Sequence, residues 1–356
     1  MKEQMKKLLS MVLVVTMLMS ITAGCGAAPS SGDTAEEEKV SLGSITDMSG
    51  NEIKLPEKID SYAVAWAGLT DILLMFDGTE HLAAYPEKSA SFKWIFDVYP
   101  EYESKICLSN EGISSEEIIE SGVDVVFMKA ADDENLYTRL NECGIATIDC
   151  QFDTYEELQT VVKMIASVLG TDEASQKAEA YCLYLDDAVA DTIAFSDTLG
   201  EDDRVSALVM KDTKDYSAYG SGRYTGKWVE MCGANYSMVN EDTYANVNLT
   251  SEQIFEYNPN FIFFAMPKQV DKFLEDGTWS DLDAVQNDHV YNIPGGFNTW
   301  SNCGAESALV FRWAAETMYP GKTGFDINKE IKTFYLDFYG YEPSDEEIER
   351  MLVSAF

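Results

Sequence analysis

Aromatic rings and a few cations stand where the sequence predicts strands to end, and together they could hold a solute. Lys129 follows a predicted strand and Arg223 lies in a glycine-rich loop, so either cation can meet a carboxylate or a catecholate. Aromatic faces with a few charged donors bind solutes without reacting with them. Core packing is the commoner explanation of any single ring, and solvation of any single cation, so the grouping carries the hypothesis. The aromatic candidates are Trp66, Tyr85, Trp94, Tyr219, Tyr224, Trp228, Phe297 and Trp300.

Catalytic and metal-ligating patterns are missing from the sequence. It contains no GxSxG, no HExxH and no cysteine and histidine pair at a recognised spacing. The segment GSGRYTG at 220–226 lacks the GK[ST] ending of a phosphate loop, and its glycines miss the GxGxxG spacing by one residue. His81 and His289 fall in different halves of the chain without neighbouring ligands, which fits strand-edge positions. We expect no resident metal and no cofactor.

An enzyme is the second class of function kept open beside a solute-binding protein. A test for turnover separates these two classes.

A pattern that occurs twice supplies the elements that would position these side chains. SEEIIESGVDVVF at 115–127 and SEQIFEYNPNFIFF at 251–264 share serine, glutamate, isoleucine and phenylalanine positions, 136 residues apart. In each copy a serine caps a short helix, a glycine or Asn-Pro ends it, and a β-branched and aromatic run follows as a buried strand. The repeat predicts two similar lobes.

The stretch between the two copies, residues 171–200, predicts one long helix that joins the lobes. Thr171 can cap its first turn, and Gly200 is placed for a left-handed stop. Spanning 172–199, this helix is about 42 Å long, which is more than one lobe needs. Its apolar stripe recurs at three- and four-residue steps and comprises Ala174, Ala178, Tyr181, Cys182, Leu185, Ala188, Val189, Thr192 and Ile193.

The remaining segments alternate strands with helices, which is typical of α/β lobes with mainly parallel sheets. A hairpin turning at Gly50-Asn51 comes first, followed by strands ending near Trp66 and at 81–84 and 146–149, and by helices at 70–76, 136–144 and 154–169. An amphipathic helix at 301–320 closes the second lobe. The predicted parts are an N-terminal lobe at 45–170, the connecting helix at 171–200, a C-terminal lobe at 201–326, and helices at 327–356 that pack back on the body.

The first residues are typical of export rather than of the fold. Lysines precede an apolar run at 8–21 that is too short for a comfortable membrane span, and small residues follow up to Cys25. This order predicts a signal peptide at 1–24. Ala23-Gly24-Cys25 resembles a lipobox, with Thr22 in place of the usual leucine, which predicts a lipid on Cys25. Residues 25–44 have the composition of a flexible, solvated tether. We therefore expect an extracytoplasmic protein that is lipid-anchored to the cell membrane.

Charge and cysteine content restrict the partners and the chemistry further. The formal net charge of −37 excludes nucleic acid as a partner and is most simply the acidity that keeps a surface protein in solution. A location outside the cell permits disulfides, but a chain of this size does not need them, and the cysteine spacings are irregular. We expect buried free thiols at Cys107, Cys143, Cys150, Cys182, Cys232 and Cys303.

Together these motifs resemble the substrate-binding lipoproteins of bacterial ABC importers for iron-siderophore, haem and cobalamin, the rigid-helix class of periplasmic solute-binding protein. The resemblance rests on DMSGNEIKLPEKI near the start, on the duplicated segments, and on WSDLDAVQNDHVYNIP followed by a tryptophan and a helix. It covers nearly the whole chain after the signal peptide, although Val123 and Asn260 replace the usual proline and aspartate. It implies two α/β lobes with mainly parallel central sheets, joined by a single long α-helix, with the ligand in the cleft between them.

The same resemblance implies a docking role for one glutamate on each lobe. The positions that meet arginines of the membrane permease in the family match Glu116 and Glu252 here. Carboxylates at equivalent places on two similar lobes can meet two copies of a symmetric partner. The alternative is that each glutamate only favours the dipole at a helix N-terminus.

The ligand implied by the resemblance is an iron-siderophore or a similar metal chelate, delivered to an ABC permease in the cytoplasmic membrane. Cobalamin or another corrinoid is the main alternative, and haem is the next. The sequence does not choose among them, because selectivity depends on side-chain directions in loops.

Overall fold

The structure is a computed structural model, and it describes residues 43–109, 113–222, 224–238, 245–302 and 304–354. The predicted signal peptide at 1–24, Cys25, the tether up to residue 42, Arg223 and Cys303 lie outside the described residues. Within the described residues, no helix combines the length and the apolar character that crossing a membrane requires.

A hairpin and a parallel sheet form the N-terminal lobe. In the hairpin, β1 (Ser44–Thr46) pairs antiparallel with β2 (Glu52–Lys54), and the turn places Gly50 at a φ of 82°. The strands of the sheet are β3 (Tyr62–Val64), β4 (Leu82–Pro86), β5 (Ile106–Leu108), β6 (Val125–Met128) and β7 (Ala146–Asp149). Their order is β5-β4-β3-β6-β7, and all neighbours are parallel, so their carboxyl ends share one edge.

Helices cover this sheet as the alternating sequence pattern predicts. They are α1 (Thr70–Asp77), α2 (Trp94–Val98), α3 (Ser115–Ser121), α4 (Glu134–Glu142) and α5 (Tyr155–Leu169). Thr154 caps α5 through a reciprocal capping box with Glu157, and Gly170 ends it in the left-handed region at a φ of 69°. Helix α5 packs along the connecting helix α6 (Asp172–Ser196).

The C-terminal lobe has a mixed sheet. Its strands are β8 (Ser206–Met210), β9 (Ser217–Tyr219), β10 (Asn235–Tyr236), β11 (Asn246–Asn248), β12 (Phe261–Phe264) and β13 (Val290–Asn292). The order is β11-β9-β8-β12-β13, with β10 also pairing with β8. The pairs of β12 with β8 and β13 are parallel, and β9 is antiparallel to both of its neighbours.

The helices of this lobe and of the C-terminal part complete the fold. They are α7 (Tyr224–Met231), α8 (Ser251–Tyr257), α9 (Val270–Glu275), α10 (Asp283–Gln286), α11 (Val310–Met318), α12 (Ile327–Tyr339) and α13 (Asp345–Leu352). Short 3-10 helices lie at Ala67–Leu69, Glu87–Ser91, Pro100–Ser104, Ala130–Asp132, Glu201–Asp203, Gly277–Asp281 and Ala305–Leu309. This is the α/β fold of two lobes joined by one long helix that the resemblance predicts.

The two copies of the sequence repeat form the same unit in each lobe. Helix α3 leads into β6 and helix α8 leads into β12, and both strands are central in their sheets. Each helix turns one isoleucine fully inward, Ile118 in the first and Ile254 in the second. The caps are Ser114 and Thr250, one residue before the serines that the sequence suggested, because the first helical residues are the serines themselves.

The structure of the connecting helix confirms the predicted apolar stripe but not the predicted end of the helix at Gly200. Its buried residues are Ala174, Ala178, Tyr181, Cys182, Leu185, Ala188, Thr192 and Ser196, and the Thr171 hydroxyl accepts the Ala174 N–H at 3.1 Å. The helix ends at Ser196, about 38 Å from its start, because the chain turns at Asp197. Gly200 is extended, with a φ of −67°, so its prediction as a left-handed stop is wrong. Ile193 is 40% exposed and lies off the stripe.

The helix predicted at 301–320 is also shorter than its amphipathic pattern suggested. Residues Ala305–Leu309 form a 3-10 helix, and α11 begins only at Val310. Gly304 is extended and presses against the carboxyl group of Asp71, where a Cβ would come within 2.7 Å of an Asp71 oxygen. This close approach across the lobe junction leaves no room for an earlier helical turn.

Cysteine burial follows the prediction only in part. Cys150, Cys182 and Cys232 are buried free thiols, whereas Cys107 and Cys143 are free and exposed. Cys107 lies on the edge strand β5, which has a partner strand on one side only, and Cys143 lies at the C-terminal end of α4.

The duplicated unit gives a matched pair of substitutions. Ile118→Ala removes a side chain that is 0% exposed, and we expect it to lower the free energy of unfolding by about 2–5 kcal/mol. Ile119→Ala removes a neighbour that is 38% exposed, and its effect should stay within about 0.5 kcal/mol. Urea unfolding followed by circular dichroism measures both. Equal losses in the two variants would contradict the assigned inward face.

Candidate ligand-binding site

An aromatic and cationic surface lies at the carboxyl edge of the N-terminal sheet. Trp66, Lys129 and Phe152 follow the ends of β3, β6 and β7, which are adjacent in the sheet. The Trp66 and Phe152 rings are tilted, with centroids 4.9 Å apart, and the Lys129 ammonium is 5.7 Å from the Trp66 ring centroid. We call these three residues the Trp66 surface. It combines a partly exposed indole with a cation in contact with its face.

The backbone beneath the Trp66 surface is held by a buried acid. Asp149, which is 3% exposed, accepts the N–H of Ala130 at 2.9 Å and the hydroxyl of Ser49 at 2.5 Å. The Ala130 contact fixes the turn directly after Lys129. The Lys129 ammonium itself is 3.4 Å from a carboxylate oxygen of Asp132, and its side chain is 26% exposed. The cation is therefore positioned by its neighbours while part of it stays accessible.

Helix α5, which begins shortly after Phe152, contacts the C-terminal lobe at its first turn. Tyr155, in the first turn of α5, has its ring 6.3 Å from that of Tyr224 and 5.0 Å from that of Phe311. Tyr224 begins α7 directly after the glycine-rich loop, and Gly226 packs so closely on that loop that a Cβ would lie 2.8 Å from the Gly220 carbonyl oxygen. The loop is thus fixed next to the contact between the lobes.

The other predicted residues on the two edges differ in accessibility. Tyr219 ends β9 and is partly exposed, with its carbonyl accepting the hydroxyl of Tyr236. Tyr85 is 5% exposed and packs on Tyr102 with ring centroids 4.1 Å apart. Burial, with a contact from Cys107, raises the pKa of Tyr85 to about 12, so this hydroxyl stays protonated. Arg223 lies outside the described residues.

Four of the predicted ligand-binding aromatics lie in the core instead of on an open surface. Trp94, Trp228 and Trp300 are 0% exposed and Phe297 is 1% exposed. Trp94 stacks on Phe297 with centroids 4.7 Å apart, Trp228 packs on Phe263, and Trp300 packs on Trp313. The physical reason is that each ring packs against a side chain of another element, and nothing in the local sequence indicates such a contact. In this structure these four residues offer no surface to a solute.

Sequence reasoning missed two residues that the structure brings to the site. Phe152 forms part of the Trp66 surface, and Tyr155 makes the contact with the other lobe. The available signal was the position of Phe152 just beyond a predicted strand, which is the criterion that selected Trp66. Tyr155 follows a capping threonine and reads as an ordinary helix start.

The two histidines do not converge. His81 lies before β4 with its Nδ1 2.8 Å from an Asp77 oxygen, and His289 precedes β13 and stacks on Phe261 with ring centroids 4.2 Å apart. Groups of three or more histidine, cysteine, aspartate or glutamate side chains placed to hold a metal ion do not occur among the described residues.

The predicted docking glutamates are both exposed in the first turns of their helices, but their surroundings differ. Glu116 accepts the Ser115 hydroxyl at 3.1 Å and forms an ion pair with Arg139. Glu252 accepts the Ser251 hydroxyl at 3.4 Å and has no ion-pair partner among the described residues. Hydrogen bonds from their own backbone N–H groups, and then from neighbouring hydroxyls, lower the pKa of both carboxyls.

A separate groove of about 640 Å³ runs between the connecting helix and α12. It contains none of the predicted site residues, and no strand end contributes to it. Its lining residues are Glu173, Gln176, Lys177, Ala180, Leu183, Tyr184, Asp187, Asp337 and Phe338.

Comparison with known proteins identifies the class to which this fold and these sheet edges belong. The family described as periplasmic binding protein matches residues 105–295, more than half of the chain, and the chain belongs to that family. Its members are solute-binding components of ABC transporters that work outside the cytoplasm. Membership of this family supports a role in solute binding.

Individual relatives cover most of the chain at low identity. The molybdate-binding protein MolA of Haemophilus influenzae is 23% identical over 334 residues, 85% of this chain and 92% of MolA. The structure of MolA bound to molybdate has a TM-score of 0.75 at 20% identity and covers 85% of this chain and 99% of that one. A periplasmic solute binding protein of Veillonella parvula has a TM-score of 0.77 at 20% identity, covering 87% of this chain and 96% of that one. Helicobacter pylori CeuE with bound Ni(II) has a TM-score of 0.71 at 16% identity, covering 87% and 99%. At these identities the likeness shows the fold alone.

Trp66 gives the Trp66 surface an optical test. It is partly exposed, whereas the other five tryptophans are between 0% and 5% exposed, so iodide should quench the fluorescence of Trp66 first. The nearby Lys129 ammonium attracts the anion, and iodide should therefore quench more strongly than caesium.

Trp66→Phe should remove most of the fluorescence that iodide can quench, and Trp300→Phe, at a fully buried position, should leave that fraction unchanged. Stern–Volmer plots for the two variants make the comparison. An unchanged quenchable fraction in Trp66→Phe would show that the indole is not the accessible one.

Proposed function

We propose that this chain captures an anionic metal chelate, with a ferric siderophore as the first candidate, between its two lobes and delivers it to the permease of an ABC importer. The observation that carries the proposal is the Trp66 surface, where an ammonium group sits against an indole at the carboxyl edge of the N-terminal sheet. Catecholate and carboxylate chelates are anionic and often planar, so they can stack on the indole while their charge meets Lys129.

Corrinoids and haem remain alternatives within this proposal. Both present a broad flat ring that suits the partly exposed Trp66 ring, which the buried Phe152 ring supports from behind, and haem adds carboxylates that suit Lys129. They differ from a siderophore in the width of the gap that they require between the lobes.

A metal oxoanion is a second candidate with its own support. The similar MolA protein is molybdate-binding, and Tyr155 and Tyr224 bring the two lobes together with ring centroids 6.3 Å apart. A narrow gap with a fixed cation favours a small anion over a bulky chelate.

Delivery is proposed to use Glu116 and Glu252. Each glutamate stands in the first turn of a helix that leads into a central parallel strand, so both lie toward the carboxyl edges of the two sheets. This places one carboxylate on each lobe toward the side where the gap lies, which suits a symmetric cationic partner. Anchoring through a lipid on Cys25 would keep the protein near the permease.

Isothermal titration of the full chain tests which solute binds. The panel is a ferric catecholate, a ferric hydroxamate, cyanocobalamin, haemin and molybdate. We expect one ferric chelate per chain at micromolar affinity or better. Binding of molybdate alone would favour the oxoanion, and a chain that binds none of the five would contradict the proposal.

The solute found in this way then tests Lys129. Losing a charged hydrogen bond costs roughly 1.5–3 kcal/mol, so Lys129→Met should weaken binding of an anionic solute by a factor of about ten or more. Lys88→Met, at an exposed position in a 3-10 helix, is the matched control and should bind normally. Unchanged affinity in Lys129→Met would remove the Trp66 surface from the site.

Docking is tested by separating uptake from binding. Glu116→Lys together with Glu252→Lys should leave solute affinity nearly unchanged and suppress uptake, because two attractive contacts become repulsive. Uptake in cells that lack the native protein, measured beside titration of the purified variant, gives both values. Glu117→Lys with Glu256→Lys, at exposed neighbours, is the control. Normal uptake in the first double variant would leave the glutamates with a purely structural role.

A further inference from the structure

Two buried carboxyl groups meet where the lobes join. Asp71, in α1 of the N-terminal lobe, and Glu306, in the segment before α11 of the C-terminal lobe, are both 0% exposed. The Glu306 backbone N–H donates to Asp71 Oδ2 at 3.1 Å. Neither carboxyl has an ion-pair partner among the described residues. Such a pair is costly to bury unless other donors or a shared proton compensate.

The donors around Glu306 come mainly from one turn of backbone. Its carboxylate accepts the N–H groups of Gly296, Phe297 and Asn298 at 3.1, 2.8 and 3.1 Å. The hydroxyl of Tyr335, from α12, donates to the same carboxylate at 2.6 Å. Gly296 has no space for a side chain, because a Cβ there would overlap the Tyr335 hydroxyl. Glu306 therefore fixes the path of residues 296–298.

Neighbouring helices close over the pair from both lobes. Tyr339 of α12 donates to the backbone carbonyl of Asp71 at 3.1 Å, and Tyr181 of the connecting helix donates to the carbonyl of Ala305 at 3.0 Å. The Ile72 N–H donates to Asp71 Oδ1 at 3.1 Å. The junction thus brings together α1, the connecting helix, α12 and the segment before α11.

The C-terminal helices add a second set of contacts at the junction of the lobes. The Trp94 indole N–H donates to Glu347 of α13 at 2.9 Å, while its ring stacks on Phe297. Burial raises the pKa of Glu347, but hydrogen bonds from Trp94, Tyr341 and Ser344 outweigh it and bring the pKa down to about 2. Glu347 is therefore ionised throughout the physiological range, in contrast to the pair at the junction.

Burial acts on the pKa values of the buried pair in the opposite direction, and for Glu306 the charge of Asp71 adds to it. Burial, followed by the charge of Asp71, raises the pKa of Glu306 to about 8, and burial raises the pKa of Asp71 to about 6. The titratable groups facing the pair are Tyr181, Tyr335 and Tyr339. Burial raises the pKa of Tyr335 and Tyr339 well above the usual range, so these two stay neutral. When Glu306 is protonated, its carboxyl group donates a hydrogen bond to the Tyr335 hydroxyl, so the contact between the two residues is kept.

We infer that Asp71, Glu306 and Tyr335 form a proton-linked clasp between the lobes, in which Glu306 positions the 296–298 turn against the N-terminal lobe. While the pair holds a proton, one negative charge is shared among the buried donors and the clasp is closed. Loss of that proton leaves two buried negative charges at the junction and loosens the C-terminal segment from α1. The clasp does not depend on which solute the protein carries.

The direction in which stability changes with pH follows from the raised pKa values of Asp71 and Glu306. Both carboxyls hold protons in the folded state that the unfolded chain has already lost, so they stabilise the fold most at acidic pH. For Glu306 this contribution is complete below its ordinary pKa of 4.5 and is lost as the pH rises through about 8. Between pH 6 and pH 8 the folded state holds about one proton more than the unfolded chain. The equilibrium constant for unfolding therefore rises about tenfold per pH unit.

The test measures urea unfolding of the full chain from pH 5.5 to pH 9 in four proteins. The natural chain and Glu349→Gln, an exposed control, should share the tenfold dependence between pH 6 and pH 8. Glu306→Gln has no carboxyl proton to lose, so it should flatten the pH dependence. Its amide replaces one of the two oxygens that accept the backbone N–H groups, so the readout is the slope with pH and not the stability at one pH. Asp71→Asn removes the repulsion and should move the dependence to lower pH.

A second measurement locates the effect. Hydrogen exchange of the Gly296, Phe297 and Asn298 amides should accelerate between pH 7 and pH 9 by more than the intrinsic chemical rate in the natural chain, and not in Glu306→Gln. An unaltered pH dependence of unfolding in Glu306→Gln would overturn the clasp. Amide exchange that follows only the intrinsic rate in the natural chain would overturn it equally, because the 296–298 turn would then be held independently of the proton.

Discussion

Water does not reach the backbone N–H groups of residues 296–298, and the need to satisfy them organises the junction of the two lobes. Glu306, which lies in the 3-10 helix before α11, accepts all three of these N–H groups with one carboxylate. The same carboxylate requires Tyr335, which brings α12 onto the junction. The C-terminal helices are therefore part of the connection between the lobes. The long helix α6 is one link between the lobes, and the clasp is another.

Local sequence patterns predict the elements well and the junction poorly, for a physical reason. The stripe that runs from Ala174 to Thr192 repeats every three or four residues, so a single helix is enough to explain it. Trp94 and Phe297 pack together although 203 positions separate them, and no periodicity records such a contact. Asp71 and Glu306 resemble surface acids in any short window. Their role depends on burial, which only the assembled lobes create.

The residues of the candidate binding site could be predicted from the sequence only in part. Trp66 and Lys129 could be placed because strand ends in a parallel sheet share an edge, and the structure brings both to that edge. The same criterion placed Tyr85 at a strand end, where Tyr102 covers it. The four aromatics that lie in the core were also predicted at strand ends, but Trp94 and Trp228 lie within helices, and Phe297 and Trp300 lie several residues beyond β13. Strand topology is thus a better guide to this site than aromatic content.

The free thiols provide a way to follow the unfolding of this protein. Cys150 follows β7 in the N-terminal lobe, Cys182 lies in the connecting helix, and Cys232 follows α7 in the C-terminal lobe. Burial raises the pKa of all three thiols, and only the thiolate reacts with alkylating reagents at an appreciable rate. Each thiol is thus shielded until its own part of the chain unfolds, while the exposed Cys107 and Cys143 react in the native protein and calibrate the reagent. Among the described residues, each lobe and the helix between them therefore contains one buried thiol whose alkylation reports the unfolding of that part.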